Sequence, residues 1–392
     1  MAMLRRRLKM GIVGGGPGAF IGDVHRRAAL LDGGVELVAG AFSADKTKAA
    51  EKGRRLLLDP ARVYSSLDAM VEHELTLPQG ERVDFVTVAT PNHLHFPMAR
   101  RLLRAGFHVV CDKPMTHAVK EARALKREVD KSGNIFVVTY NYTGYPMVKL
   151  ARDLVRNGYL GDVRKVVLEY PQGWLATPLE AEGMKQAVWR TDPSQSGLAG
   201  CIGDIGSHGA HLLEYMLGQR ITEVSADLTT FVTGRVLDDD GSVLMRFEEG
   251  ARGVLLTSQV SVGEENGLTV RVYGDQRGVR WSQERPDHLQ VTSLDGPEET
   301  WSRGSDYVAA ASPAAARATR LPPGHPEGFI ESFANIYHNV CDAICARIQE
   351  TAPDILTLDY PTVDDGLRGM LFIESVVKST RSRQKWTRVP VR

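Results

Sequence analysis

A chain of 392 residues exceeds what one ordinary hydrophobic core accommodates, so two domains are expected. Its composition, 43% hydrophobic and 24% charged, is that of a globular protein. Basic and acidic residues balance at 48 each, which leaves no global field to attract nucleic acid or an anionic membrane surface.

No stretch reaches the roughly 18 apolar residues that span a bilayer. The basic run Arg5-Arg6-Arg7-Leu8-Lys9 leads into a strand, not into the apolar core of a secretory signal, so a cytoplasmic location is expected. Of the four cysteines, Cys341 and Cys345 lie four apart in an apolar helical stretch and read as small core residues; Cys111 and Cys201 lack zinc-type spacing.

From Lys9 onward, short β-branched runs alternate with helical stretches. Lys9–Val13, Val35–Phe42, Phe85–Ala89, His108–Cys111 and Ile135–Thr139 read as strands, with helices such as Pro97–Ala105 and Val119–Ser132 between them. Strands that are apolar throughout predict a parallel sheet covered on both faces, the doubly wound arrangement. Past Tyr140 the pattern changes. A helix over Pro146–Asn157 leads to Val163–Tyr170, and alternating segments follow at Ile221–Val232, Ser242–Phe247, Ala251–Val262 and Leu268–Tyr273, with turn signals at Glu249-Gly250 and Asp275–Gly278. This predicts an α+β domain with a large, open, mainly antiparallel sheet. An uncovered sheet face is a liability, so a homo-oligomer, dimer or tetramer, built through it is expected. Ala309–Pro323 reads as a loop, followed by helices over Pro326–Thr351 and Thr362–Lys378. The predicted domains are residues 1–139 and 140–392.

The first strand runs into Gly14-Gly15-Gly16-Pro17-Gly18-Ala19-Phe20. Gly14, Gly16 and Ala19 fit G-x-G-x-x-G/A: a tight turn, a backbone bare enough to approach a pyrophosphate, and close packing of helix on strand. The helix start adds free N–H groups and the positive end of its dipole. A glycine turn without a ligand is the plainer alternative. The cofactor's flavour is set at the end of the second strand: Asp45 there suits NAD, whereas Ser43 with Lys46 suits NADP, and NAD is favoured.

Two further turns fall at carboxyl ends of parallel strands, where open α/β sheets bind ligands. One is Thr90-Pro91-Asn92-His93-Leu94-His95 and the other Asp112-Lys113-Pro114. A lysine so placed can hydrogen-bond a substrate hydroxyl and bias its proton. Later in the chain Asp204 and His208 stand four apart, on one face of a helix. His208 suits a general base and Asp204 a group that orients substrate. A metal held by Asp204, His208 and His211 is an alternative, although hydride chemistry needs none.

These motifs, GGGPGAFIG after a strand, VATPNHLHFPMARRLLRAGFHVVCDKP and WRTDPSQSGLAGCIGDIGSHGAHLLEY, together resemble the Gfo/Idh/MocA group (glucose–fructose oxidoreductase, inositol dehydrogenase and relatives). The resemblance implies a Rossmann domain followed by an α/β domain with an open sheet. It also implies a nicotinamide cofactor and a sugar, glycoside or inositol as small-molecule substrate, with no metal and no nucleic-acid or membrane partner. The family's E-K-P is Asp112-Lys113-Pro114 here, and its D-x-G-x-H is intact as Asp204–His208, whereas the acid common three residues later is His211. The resemblance makes Lys113, Asp204 and His208 the catalytic set. It puts Thr90, Pro91, Asn92, His95, Trp189 and Arg190 near the cofactor, with Pro17, Gly18 and Phe20 of the glycine turn. Tyr142, Trp174, His211 and His325 join the catalytic set as substrate contacts. A core tryptophan beside a surface arginine, and a plain helix start at His325-Pro326-Glu327-Gly328, are the alternatives. Oxidation of a secondary hydroxyl is the favoured activity. An NAD-dependent glycosidase using transient oxidation and a non-catalytic dinucleotide or sugar sensor are the other two.

Overall fold

The structure is a computed structural model that describes residue 4 and residues 6–391, so Arg5 of the basic run lies outside it. Two compact units emerge. One comprises residues 1–141 and 329–366, the other 142–328 and 367–392. The division is therefore not the single cut expected after residue 139, because residues 329–366 return to the first unit.

The first unit is built on five parallel strands: β1 (Leu8–Gly14), β2 (Val35–Ala41), β3 (Phe85–Ala89), β4 (His108–Cys111) and β5 (Phe136–Val138). Their order is β2-β1-β3-β4-β5, and it reverses between β1 and β3, which defines the crevice at their carboxyl ends. All five predicted strands are present, with ends shifted by at most one residue. The intervening helix expected at Pro97–Ala105 spans His95–Arg104. Met10, Ile12, Val110 and Val137 pack with Val24 and Ala28 of the helix Phe20–Leu30 and with Phe333, Ile336, Val340 and Ile344 of the helix Phe329–Ile348. Each fully buried aliphatic side chain of this kind contributes about 1.5–3 kcal/mol.

The second unit carries nine strands: β6 (Lys165–Pro171), β7 (Ile221–Thr229), β8 (Asp240–Phe247), β9 (Arg252–Ser258), β10 (Thr269–Tyr273), β11 (Arg277–Ser282), β12 (His288–Ser293), β13 (Glu299–Ser302) and β14 (Thr387–Arg388). The order is β13-β12-β11-β10-β6-β9-β8-β7-β14. Every pairing is antiparallel except β6 with β9. The predicted open, mainly antiparallel sheet is present and larger than the sequence showed. One face packs under helix Ser207–Leu217, where Gly209 is required: a Cβ there would lie 2.8 Å from Leu255 and 3.0 Å from Leu168. On the other face Leu244 and Leu256 remain 45% and 39% exposed.

Ala309–Pro323 is not simply a loop. It contains the second half of the helix Asp306–Ala311 and all of Pro313–Arg317. Alanine carries the helical propensity there, and Ser312 caps the second helix through Ala315 N–H with Pro313 at its first position. The later helix begins at Phe329, three residues after the predicted Pro326, and ends at Ile348. Among the described residues no helix is long and apolar enough to cross a membrane.

Candidate functional site

In the first unit, the glycine turn follows β1 directly and ends at Ala19, which precedes helix Phe20–Leu30 in an extended conformation. Space explains its composition. A Cβ on Gly14 would lie 2.2 Å from the Ala89 carbonyl oxygen, and one on Gly16 2.7 Å from that of Phe42. Gly18 has φ +76° and open surroundings. The close packing of helix on turn, assigned from the motif to Ala19, falls instead on Gly22, whose added Cβ would sit 2.4 Å from Gly15 Cα. Gly15 and Gly22 thus belong to the motif although the spacing rule does not count them. The helix start, with Phe20 65% exposed, offers its free N–H groups to an anion. Turn and helix fit a dinucleotide diphosphate.

Beyond β2, Ser43 is half-buried and its Oγ accepts from Asp45 N–H at 3.2 Å. Asp45 caps the helix Lys46–Arg55: its Oδ1 accepts from Thr47 N–H (2.9 Å) and Lys48 N–H (3.2 Å). That leaves its Oδ2, 3.9 Å from Lys48 Nζ, as the oxygen with which it can meet a ribose.

After β3, Thr90 and Pro91 lead into a short turn over Asn92–Leu94, with Asn92 buried. His95 is fully buried between the carbonyl oxygens of Pro114 and Thr90, each 2.8 Å from a ring nitrogen. Burial pushes its pKa down, while Asp112 and the two carbonyls pull the other way. His95 therefore ties the two crevice turns together. Asp112 Oδ1 accepts from Lys113 N–H (2.9 Å) and Thr139 Oγ1 (3.0 Å). Burial alone would raise the Asp112 pKa, but His25, Lys113 and His95 outweigh it and hold the carboxyl well below its usual range.

In the second unit, Asp204 and His208 lie on a helix whose first turn is wide. Ile202–Gly206 forms a π turn, and regular helix begins at Ser207. Such turns recur at functional sites. Asp238 anchors this one, accepting from Gly200 N–H and Ile202 N–H at 2.8 Å each. Asp204 Oδ2 accepts from Gln259 Nε2 (2.9 Å) and Arg190 Nε (3.2 Å). Arg190 also stacks over Trp189 at 4.2 Å and stands 5.8 Å from the Trp174 ring.

His208, 7% exposed, meets the Tyr142 ring edge-on at 4.9 Å. The Tyr142 hydroxyl bonds that of Tyr170 and accepts from Asn266 Nδ2 (3.4 Å). Asn266 Oδ1 accepts from Tyr170 Oη and Gln172 Nε2, both at 2.8 Å, and Gln172 Oε1 accepts from Trp174 Nε1 at 3.1 Å. Burial pushes the Tyr142 pKa up to about 12, so it remains a neutral phenol.

Five predicted residues therefore share one neighbourhood: Tyr142, Trp174, Arg190, Asp204 and His208, with Trp189 against Arg190. Sequence reading missed Tyr170, Gln172, Gln259 and Asn266, whose polar ends complete it. His211 points into a different set, stacking on Tyr215 at 6.4 Å. The exposed His325 lies in a loop whose Glu327 does not open a helix. Glu327 is 3% exposed and accepts from Arg303 Nη1 (2.7 Å) and from Arg320 N–H and Leu321 N–H (2.8 Å each). Among the described residues no three His, Cys, Asp or Glu side chains converge as metal ligands.

A doubly wound parallel sheet with this glycine turn, joined in one chain to a unit carrying an acid–imidazole pair, defines a dinucleotide-dependent oxidoreductase. Comparison with known proteins narrows the class. Residues 8–140 match the oxidoreductase family with NAD-binding Rossmann fold, and residues 148–280 match the GFO/IDH/MocA C-terminal domain. The chain belongs to the Gfo/Idh/MocA family of oxidoreductases. It is similar to an oxidoreductase from Sinorhizobium meliloti (45% identity, TM-score 0.86, covering 97% of this chain and 99% of that one). An inositol dehydrogenase homolog from Azotobacter vinelandii, solved with NADH and myo-inositol, is 33% identical (TM-score 0.89, 98% of both chains). The levoglucosan dehydrogenase of Pseudarthrobacter phenanthrenivorans is 25% identical over 98% of this chain and 99% of its own length.

Proposed function

We propose that the protein oxidises a secondary hydroxyl of a sugar, glycoside or cyclitol. The observation that carries this reading is the neighbourhood in the second unit. It combines aromatic surfaces from Tyr142, Trp174 and Trp189 with a rim of Gln172, Asp204, His208 and Asn266, which suits a ring with an apolar face and hydroxyl edges. The myo-inositol bound by the Azotobacter vinelandii neighbour and the levoglucosan of the other named relative are ligands of that kind.

In this reading His208 accepts the hydroxyl proton. Asp204, fixed by Gln259 and Arg190, holds a neighbouring hydroxyl, and Lys113 hydrogen-bonds the reacting oxygen. When bound, the nicotinamide supplies the hydride acceptor. The glycine turn, with Pro17, Gly18, Ala19 and the start of the following helix, holds the diphosphate. Ser43 and Asp45 face the adenosine ribose, and NAD is preferred over NADP. The half-exposed Leu244 and Leu256 support a homo-oligomer formed across the open sheet face, which light scattering after size exclusion would test.

The decisive assay mixes the protein with NAD or NADP separately and a panel of inositols, glycosides and free sugars, following absorbance of the reduced cofactor. Cofactor reduction by at least one panel member is expected; none across the panel, despite tight dinucleotide binding, overturns the reading. His208→Asn should flatten the alkaline rise of the oxidation rate, and an unchanged profile would assign the base elsewhere.

A further inference from the structure

One fully buried titratable group takes no part in the reading above. His25 lies on the helix that follows the glycine turn and is 0% exposed. Its Nδ1 stands 2.9 Å from the Tyr337 hydroxyl, and that hydroxyl is also 2.9 Å from Thr87 Oγ1 on β3. Its Nε2 faces Asp112 Oδ1 at 3.8 Å. Phe333 closes the remaining side, edge-on at 5.2 Å. A buried imidazole is retained at a cost unless its nitrogens are used. Here the ring bridges a fixed phenol on one side and, on the other, the carboxylate that also accepts from Lys113 N–H at 2.9 Å.

We propose that His25, oriented by Tyr337 and Thr87, is a positioning residue for Lys113 and acts through Asp112. The chain of contacts runs unbroken through the first unit: Thr87, Tyr337, His25, Asp112, then the Lys113 backbone. Asp112 is 8% exposed, and His25 supplies local polarity that lets it stay ionised and rigid, so the lysine turn keeps one conformation. The shorter acid at position 112 fits the same arrangement. It leaves 3.8 Å to the imidazole, a distance at which the ring steers the carboxylate electrostatically without a direct hydrogen bond.

The inference rests on the reading of Lys113 as a group acting at the reacting oxygen, and the test separates the two. On a substrate found with the panel, His25→Leu should lower kcat at least about tenfold while KM and the NADH dissociation constant stay within about twofold. His25→Gln, which keeps a donor at the end of the side chain, should recover most of that loss. Tyr337→Phe removes only the hydroxyl and should reproduce the kcat loss in part, which covers the case in which His25→Leu fails to fold. Combined with Lys113→Ala, the His25→Leu change should cost little more, because its effect passes through the lysine. The same proportional loss with and without Lys113, or no recovery in His25→Gln, overturns the positioning role and leaves the catalytic lysine standing. Normal turnover in Lys113→Ala alone sinks the catalytic reading and the positioning role with it.

Discussion

Gly16→Ala isolates one term in dinucleotide binding. The backbone of Gly16 is not left-handed, so alanine meets no conformational penalty there; what it lacks is room. The new Cβ would stand 2.7 Å from the Phe42 carbonyl oxygen, about 0.7 Å inside the 3.4 Å of ordinary contact. That oxygen belongs to the backbone just past β2 and cannot rotate away as a side chain would. The loop must retreat by most of the overlap. Overpacking of this size costs about 1–3 kcal/mol, and displacing phosphate-facing N–H groups by a substantial fraction of an ångström weakens every bond they make. The expected result is an NADH dissociation constant raised by about 10- to 100-fold, read by fluorescence titration. Gly18→Ala is the control. Its surroundings are open and only φ +76° opposes the change, so a loss of about 1–2 kcal/mol in stability with a smaller effect on binding is expected. Unaltered NADH affinity in Gly16→Ala would refute the diphosphate-cradle assignment.

Three other outcomes follow from the geometry. Gln259→Leu, at a position 2% exposed, removes the 2.9 Å bond to Asp204; a bond to a charged partner is worth about 1.5–3 kcal/mol. Steady-state assays should therefore show kcat/KM down about tenfold or more, and wild-type kinetics would detach Asp204 from the reaction. Tyr170→Phe should lower stability by about 1–3 kcal/mol in urea titrations, since Tyr142 and Asn266 both lose a partner; an unchanged midpoint would contradict the network. The third concerns acid stability. His108 is held down to about 4, first by burial and then by Arg347, while the unfolded chain takes up that proton near 6.5. Unfolding therefore binds an extra proton as pH falls, so stability drops between about 6.5 and about 4, by up to ~3 kcal/mol, and levels off below. His108→Asn keeps an acceptor for Ile135 N–H and should make that slope shallower in thermal melts at graded pH.

The parts of the molecule most legible in the sequence are those where local pattern and burial agree. The strands β1, β3, β4 and β5 of the parallel sheet are almost wholly buried, and their runs of valine, isoleucine and phenylalanine announce them, while the edge strand β2 is half-buried over residues 36–38 and shows through its valines. The strands β11 to β13 did not show themselves. Arg277–Ser282, His288–Ser293 and Glu299–Ser302 are short, and their outward positions carry Arg280, His288, Gln290 and Glu299, so alternation is brief and diluted by charge. Asp275–Gly278 was expected to be a turn, yet β11 already starts at Arg277, because the hairpin tip sits at Gly274 with its N–H bonded to the Arg277 carbonyl. Within the second unit the candidate neighbourhood was legible where a motif fixes spacing, as for Asp204 and His208 on their π turn and helix. It was hidden where the partner comes from a distant strand. Gln259 and Asn266 are ordinary amides in sequence and acquire meaning only because β9 ends beside the π turn and β10 pairs with β6. Gly22 was hidden for a different reason: the fingerprint counts to Ala19, and the helix comes nearest the turn one residue set later.

The helix Phe329–Ile348 also bears on how the polypeptide matures. Its Tyr337, Phe333 and Val340 complete the hydrophobic floor beneath β1 and β3, yet they leave the ribosome well over two hundred residues after the strands they cover. Until then the dinucleotide half holds bare apolar surface and His25 lacks its phenol. During synthesis the half translated first is thus the half finished late. A nascent chain halted before residue 329 would be expected to need a chaperone's shelter, and a premature stop codon ahead of that helix would disable cofactor binding, although every residue of the glycine turn had been made.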